Sequence, residues 1–100
     1  IKNSSVTLPF INDYCDHVFH QYTILNNNRD ELQSYLHENG VSSAIYYPIP
    51  IHKQNVYKSS QTSTTLRNAE EIATKCLSLP IYPELETDDI NYIADLINKF

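Results

Sequence analysis

A single glycine, Gly40, in one hundred residues leaves nothing from which to build a glycine-rich phosphate cradle, which needs several backbone positions free of a Cβ. Two cysteines, Cys15 and Cys76, are too few and too far apart for a disulfide framework, so both read as reduced thiols in a cytoplasmic setting, Cys76 in the core. Basic residues are scarce. Seven Lys and Arg against twelve Asp and Glu give a net charge of -5, too little positive charge to hold a nucleic-acid backbone. No apolar run approaches the roughly 20 residues of a bilayer span. The opening IKNSSVTLPF has neither an h-region nor an initiator methionine, and so reads as a chain cut from something longer. No Ser/His/Asp or Cys/His set has supporting context. His17 and His20 in HVFH, three apart on an expected strand, fall on opposite faces and cannot share a metal ion there. What remains is ordinary globular material, 41% hydrophobic and 19% charged, enough for one domain with a modest core.

Along the chain, residues 1–14 carry no period and contain Pro9, so they read as an extended lead-in. HVFHQYTIL, His17 to Leu25, is aromatic and β-branched with period two and predicts a strand. Asn28 with Glu31 suggests a capping box opening a helix through Asn39, striped by Leu32, Tyr35 and Leu36 and ended by Gly40. Val41 to Tyr47 predicts a second strand, stopped by Pro48, and the polar tract from Ser59 to Thr65 a mobile surface loop. Asn68 with Glu71 repeats the capping signature for a helix using Ala69, Ile72, Ala73, Cys76 and Leu77. Leu77 to Pro83 predicts a third extended segment. Thr87 is placed to cap a last helix, with Asp88 and Asp89 in its first turn and Ile90, Ile93, Ala94 and Ile97 along one side. The order predicts an α/β two-layer sandwich, a small sheet of about three strands with three helices on one face. The other sheet face then needs a cover.

One stretch stands apart. AIYYPIPIHKQNVY, Ala44 to Tyr57, holds three tyrosines, two prolines, a histidine and a lysine. Pro48 and Pro50 fix their own φ and push Tyr47 and Ile49 toward extended geometry, so the loop has little entropy left to lose on meeting a partner. Tyrosine offers flat apolar area with a hydroxyl, and His, Lys and Gln offer donors suited to phosphate or sugar oxygens. The same composition also fits tyrosines packed in the core with His52 merely solvated.

HVFHQYTI, NRDELQSYLHENGVSSAIYYPIPIHKQNVY, and CLSLPIYPEL with TDDINYIADLI together resemble the closing segment of the DegT/DnrJ/EryC1/StrS sugar aminotransferases. These are fold-type I enzymes that use pyridoxal phosphate. The resemblance runs from about residue 9 to the last residue. It implies a C-terminal small domain over 15–100, with 1–14 leading in from a large domain. It also implies a transamination in polysaccharide biosynthesis that moves an amino group from glutamate to a keto sugar linked to a nucleotide diphosphate. Lys2, Lys53, Lys58, Lys75 and Lys99 match no Schiff-base motif, so this chain supplies no catalytic, cofactor-binding or metal residue and is expected to be inactive alone.

Carried over by position, His52 would face the substrate with Tyr47, Lys53 and Gln54, while His20, Tyr22 and Tyr46 would support the domain interface. The implied partners are the large pyridoxal-phosphate domain of the same enzyme, the nucleotide sugar and a second subunit in a homodimer, with no nucleic acid and no membrane. The rival reading is an autonomous binding module that uses a tyrosine-rich sheet face without catalysis.

Overall fold

Leu32 and Leu36, four residues apart, are fully buried, and the domain is assembled over them. The computed structural model describes residues 1–60 and 65–100, the side chains of 58–60 apart. Helix α1 spans Arg29–Glu38. Gly40 takes φ 76°, its N–H donates to the His37 carbonyl at 3.0 Å, and the Val41 N–H donates to the Leu36 carbonyl at 2.8 Å. These two bonds make a Schellman closure, and Val41 and Leu36 both enter the same core cluster. At the other end the expected capping box does not form. The Asn28 N–H instead donates to Oδ1 of Asn26 at 2.7 Å, an Asx turn that brings the chain out of the preceding strand.

The sheet has three antiparallel strands in the order β1 (Val6–Thr7), β2 (Tyr22–Asn26), β3 (Cys76–Leu79). Val6 pairs with Asn26, Tyr22 with Leu79, and Leu25 with Cys76. Alternation then sorts the faces. Ile24, Leu77 and Leu79 join Leu32 and Leu36 of α1 and Ile93, Leu96 and Ile97 of α3 (Thr87–Lys99) in one core. Leu25, Thr23, Cys76 and Ser78 take the opposite face, where the Thr23 and Ser78 hydroxyls bond at 2.8 Å. Helix α2 (Arg67–Lys75) runs directly into β3. Its buried Ala73 lines a cleft with Cys76, so α2 borders this second face. The α/β class and the small three-stranded sheet with three helices are as the sequence predicts, but the helices do not share one face: α1 and α3 cover the core side, and α2 borders the other, because it runs straight into β3 and turns Ala73 toward Cys76.

Several elements differ from their expected bounds. The first long strand begins at Tyr22 and not at His17, because its neighbour runs out: the next partner after Leu79 would be Pro80, which has no N–H to give. Phe19 turns the chain at φ 43°, and its N–H donates to Nδ1 of His17 at 2.8 Å. The expected strand over 41–47 shrinks to one bridge, Ala44 exchanging both backbone bonds with Ser78 at 3.0 and 2.7 Å before the prolines take the chain away. Helix α2 ends at Lys75, so Cys76 and Leu77 belong to a strand and not to its stripe. In α3, Glu86 is the N-cap and Thr87 the first helical residue, while Leu96 takes the core place expected of Ile90, which is half exposed. Within the polar tract expected as a loop over 59–65, residues 61–64 lie outside the described residues.

The lead-in is docked. Val6 is buried in the core, the backbone N–H groups of Lys2 and Asn3 both donate to Oδ1 of Asn98 (2.6 and 3.2 Å), and Asn3 Nδ2 donates to the Ile97 carbonyl at 2.8 Å. Arg29 makes a second long-range tie. Nearly buried, it donates from Nη1 to the carbonyls of Ala73 (3.3 Å) and Cys76 (3.1 Å), and so closes the last turn of α2 from the start of α1.

Two stability predictions follow from these ties. A Cβ at Gly40 would meet nothing within 4 Å, so Gly40→Val is expected to cost only the backbone penalty of the left-handed region, about 1 to 2 kcal/mol in urea unfolding, with Gly40→Asn costing less. Arg29→Met keeps an apolar stem but strands two carbonyls and should cost about 1.5 to 3 kcal/mol in the same assay.

Candidate functional site

The proline-rich loop folds as two short 3-10 turns, Ile51–Lys53 and Asn55–Ser60. Pro50, at φ -57° and ψ 145°, stands before the first turn and its carbonyl accepts the Lys53 N–H at 2.9 Å. Gln54, extended, separates the turns, and the Tyr57 N–H returns to its carbonyl at 3.0 Å. Proline thus sets φ where the turn begins and leaves the loop compact instead of extended.

This loop forms one wall of an open cleft of about 1100 Å³. Tyr46, Tyr47, His52, Lys53, Gln54 and Tyr57 line it from the loop side, and Ala69, Glu70 and Ala73 of α2 with its N-cap Leu66 from the other. Glu70 joins the two walls. Its Oε1 lies 3.0 Å from Nε2 of His52, and its Oε2 accepts from Nζ of Lys53 at 2.6 Å. The His52 and Glu70 side chains are about one quarter exposed (23% and 27%), against half (51%) for Lys53, so the histidine–carboxylate contact is the more sheltered of the two. The Lys53 ammonium first, and the His52 ring second, hold the Glu70 carboxyl below the usual glutamate range. Tyr46 and Tyr47 meet edge to face at 5.5 Å across a cis peptide bond.

Of the residues singled out from sequence, Tyr47, His52, Lys53 and Gln54 come together on this cleft, with Tyr46 at its border. His20 does not reach it. It lines a separate hollow of about 380 Å³ with Tyr46, Ser43 and Ser78. Tyr22 packs against the core and rings with Phe19 at 5.3 Å. Glu70 was not anticipated, being 17 and 18 residues from its partners. The signal for it lay in helical spacing: Leu66, Ala69, Glu70 and Ala73 fall on one face, which places a carboxylate inside an otherwise apolar stripe.

The sign of the acid response follows from the direction of the Glu70 shift. A carboxyl held low in the folded state favours folding above the ordinary glutamate value of about 4.3 and loses that contribution as pH falls through the lower folded value. Glu70→Gln is therefore expected to flatten part of the acid-induced loss of stability below about pH 4.3, and Lys53→Ala to bring the Glu70 carboxyl back toward its ordinary range in an NMR titration. A Glu70 titration indifferent to Lys53 would contradict the pairing.

The family model for DegT/DnrJ/EryC1/StrS aminotransferases matches residues 2–98. Over 83 residues the chain is 47% identical to a UDP-N-acetyl-3-dehydro-alpha-D-glucosamine 3-aminotransferase of Acidithiobacillus ferrooxidans, covering 83% of this chain and 22% of that protein. Over 85 residues it is 45% identical to a pleiotropic regulatory protein of Geobacillus stearothermophilus, covering 84% of this chain and 23% of that one. Among solved structures, S. venezuelae DesV in complex with a ketimine intermediate superposes with a TM-score of 0.89 at 32% identity, over 95% of this chain and 26% of DesV. The chain thus spans about a quarter of the length of the relatives it matches. With a match running almost end to end and a fold that superposes as closely, the chain belongs to the DegT/DnrJ/EryC1/StrS aminotransferase family.

Proposed function

We propose that this chain is the C-terminal small domain of an enzyme that transfers an amino group from glutamate to a keto sugar carried on a nucleotide diphosphate, and that the loop from Tyr47 to Gln54 contacts that substrate. The observation that carries the reading is the cleft: His52, Lys53 and Gln54 converge beside tyrosine rings along one wall of an open groove whose other wall is the start and inner face of α2. Donors for phosphate or sugar oxygens and flat apolar area are the chemistry that a nucleotide sugar requires.

The family uses pyridoxal phosphate, which when bound accepts and returns the amino group. The residues described here do not fit its covalent anchoring by themselves. Lys53, the lysine they place in the cleft, is engaged by Glu70 at 2.6 Å, whereas a Schiff base needs an amine freed of its proton. This reading therefore assigns the anchoring lysine to a larger domain of the same protein. Phe10, Tyr14 and Val18 support such a partner: at 85%, 86% and 91% exposed they offer apolar surface suited to cover by another body. In the same reading residues 15–100 form the small domain and the intact enzyme is a cytoplasmic homodimer.

In the full-length protein, His52→Ala is expected to weaken binding of the nucleotide-linked sugar by about 1.5 to 3 kcal/mol, the range for a hydrogen bond to a charged group, read as a change in Kd or KM. Unaltered affinity would take His52, and with it the proposed role of the loop, out of the substrate site.

A further inference from the structure

We propose that Glu70 is a positioning residue for the cleft: its carboxylate fixes the His52 ring in the Nε2–H tautomer and holds the Lys53 ammonium in place before any ligand arrives. The proposal deepens the substrate-binding reading of the loop and rests on it for its kinetic consequences, though not for the tautomer.

The geometry assigns the proton. An ionised carboxylate only accepts hydrogen bonds, so with Glu70 Oε1 at 3.0 Å from Nε2 of His52, that nitrogen must carry the hydrogen. A carboxylate that orients a histidine in this way sets which ring nitrogen can act elsewhere. The second oxygen, Oε2, is occupied by Lys53 at 2.6 Å, so a single side chain of α2 holds two consecutive residues of a short 3-10 turn. The third residue of the turn, Ile51, is 71% exposed, so it adds little packing of its own to this part of the loop. A free lysine side chain loses on the order of 1.5 to 2 kcal/mol of rotamer freedom when it is ordered. Glu70 meets part of that cost in advance, which is what pre-organisation means for a binding site.

An opposing effect has to be weighed. Glu70 also cancels the charge of Lys53, and an anionic ligand would gain from its removal. Lys53 is half exposed, where ion pairs contribute only about 0 to 1 kcal/mol, so the loss of positioning should dominate. Gln at this position separates the two effects, since it keeps an acceptor for the His52 N–H without the charge.

The test uses the full-length protein in four forms: wild type, Glu70→Ala, Glu70→Gln and His52→Ala, with the Glu70→Ala/His52→Ala pair to close a cycle. UDP and dTDP serve as probes for Kd, and ¹⁵N-histidine labelling reports the His52 tautomer without any ligand. Glu70→Ala is expected to weaken the probe that binds by about tenfold, Glu70→Gln to recover most of it, and removal of Glu70 in the His52→Ala background to cost less than it does in wild type, the remainder being the loosened Lys53. In the spectra His52 should be the Nε2–H tautomer in wild type and a mixture in Glu70→Ala, with Glu70→Gln between them because its amide can also donate. If His52→Ala weakens binding but Glu70→Ala leaves it unchanged or tighter, the positioning role is overturned while the loop keeps its substrate role. If His52→Ala changes nothing, the substrate role fails, and the tautomer alone decides: a mixture in Glu70→Ala supports the role of Glu70, and an unaltered ring overturns it.

Discussion

Four consecutive buried residues, Cys76–Leu79, carry the mechanical logic of this domain. They pair with β2 along one edge and with Ala44 along the other, and they follow the last residue of α2 without a connecting loop. A strand so short can serve both edges and both faces only if every side chain is accommodated, and each of the four is. Leu77 and Leu79 belong to the core beneath α1 and α3, Cys76 lies against the cleft, and Ser78 spends its hydroxyl on Thr23. Because α2 and the segment leading to the tyrosine loop are both hung from this strand, the distance between Glu70 and His52 is set there. The bonds across the cleft are the visible end of a constraint made in the sheet.

Electrostatically the cleft is quieter than its residue list suggests. A lysine and a histidine read alone promise a cationic patch, yet Glu70 stands between them and takes both. Among the described residues of the cleft, the one carboxylate offsets the lysine charge in an already acidic chain. Shelter matters here more than charge count. The His52–Glu70 contact is the less solvated of the two pairs, and its geometry is the one that proton placement depends on.

How much of this was legible in the sequence depended on whether the signal was local. The end of α1 was readable because Gly40 is alone and its left-handed φ has few alternatives; Leu32 and Leu36 were readable because helical period and burial agree. Strand bounds were not, since a strand exists only as far as its partner can bond. HVFH has the composition of a strand, but pairing stops before it, at the Gln21 position where the partner would be Pro80, and Val41–Tyr47 has it too but meets Ser78 at one residue only. Val6 carried no period to announce it and was recruited by the free edge of β2. At the cleft, His52, Lys53 and Gln54 were marked by the prolines around them, whereas Glu70 needed knowledge of which face α2 turns toward the loop.

Asn98 has a quieter consequence. Its side-chain oxygen accepts from the backbone of residues 2 and 3, while the carbonyl beside it, that of Ile97, accepts from Asn3. The first and last turns of the chain thus share one clasp, and neither can fray without loosening the other.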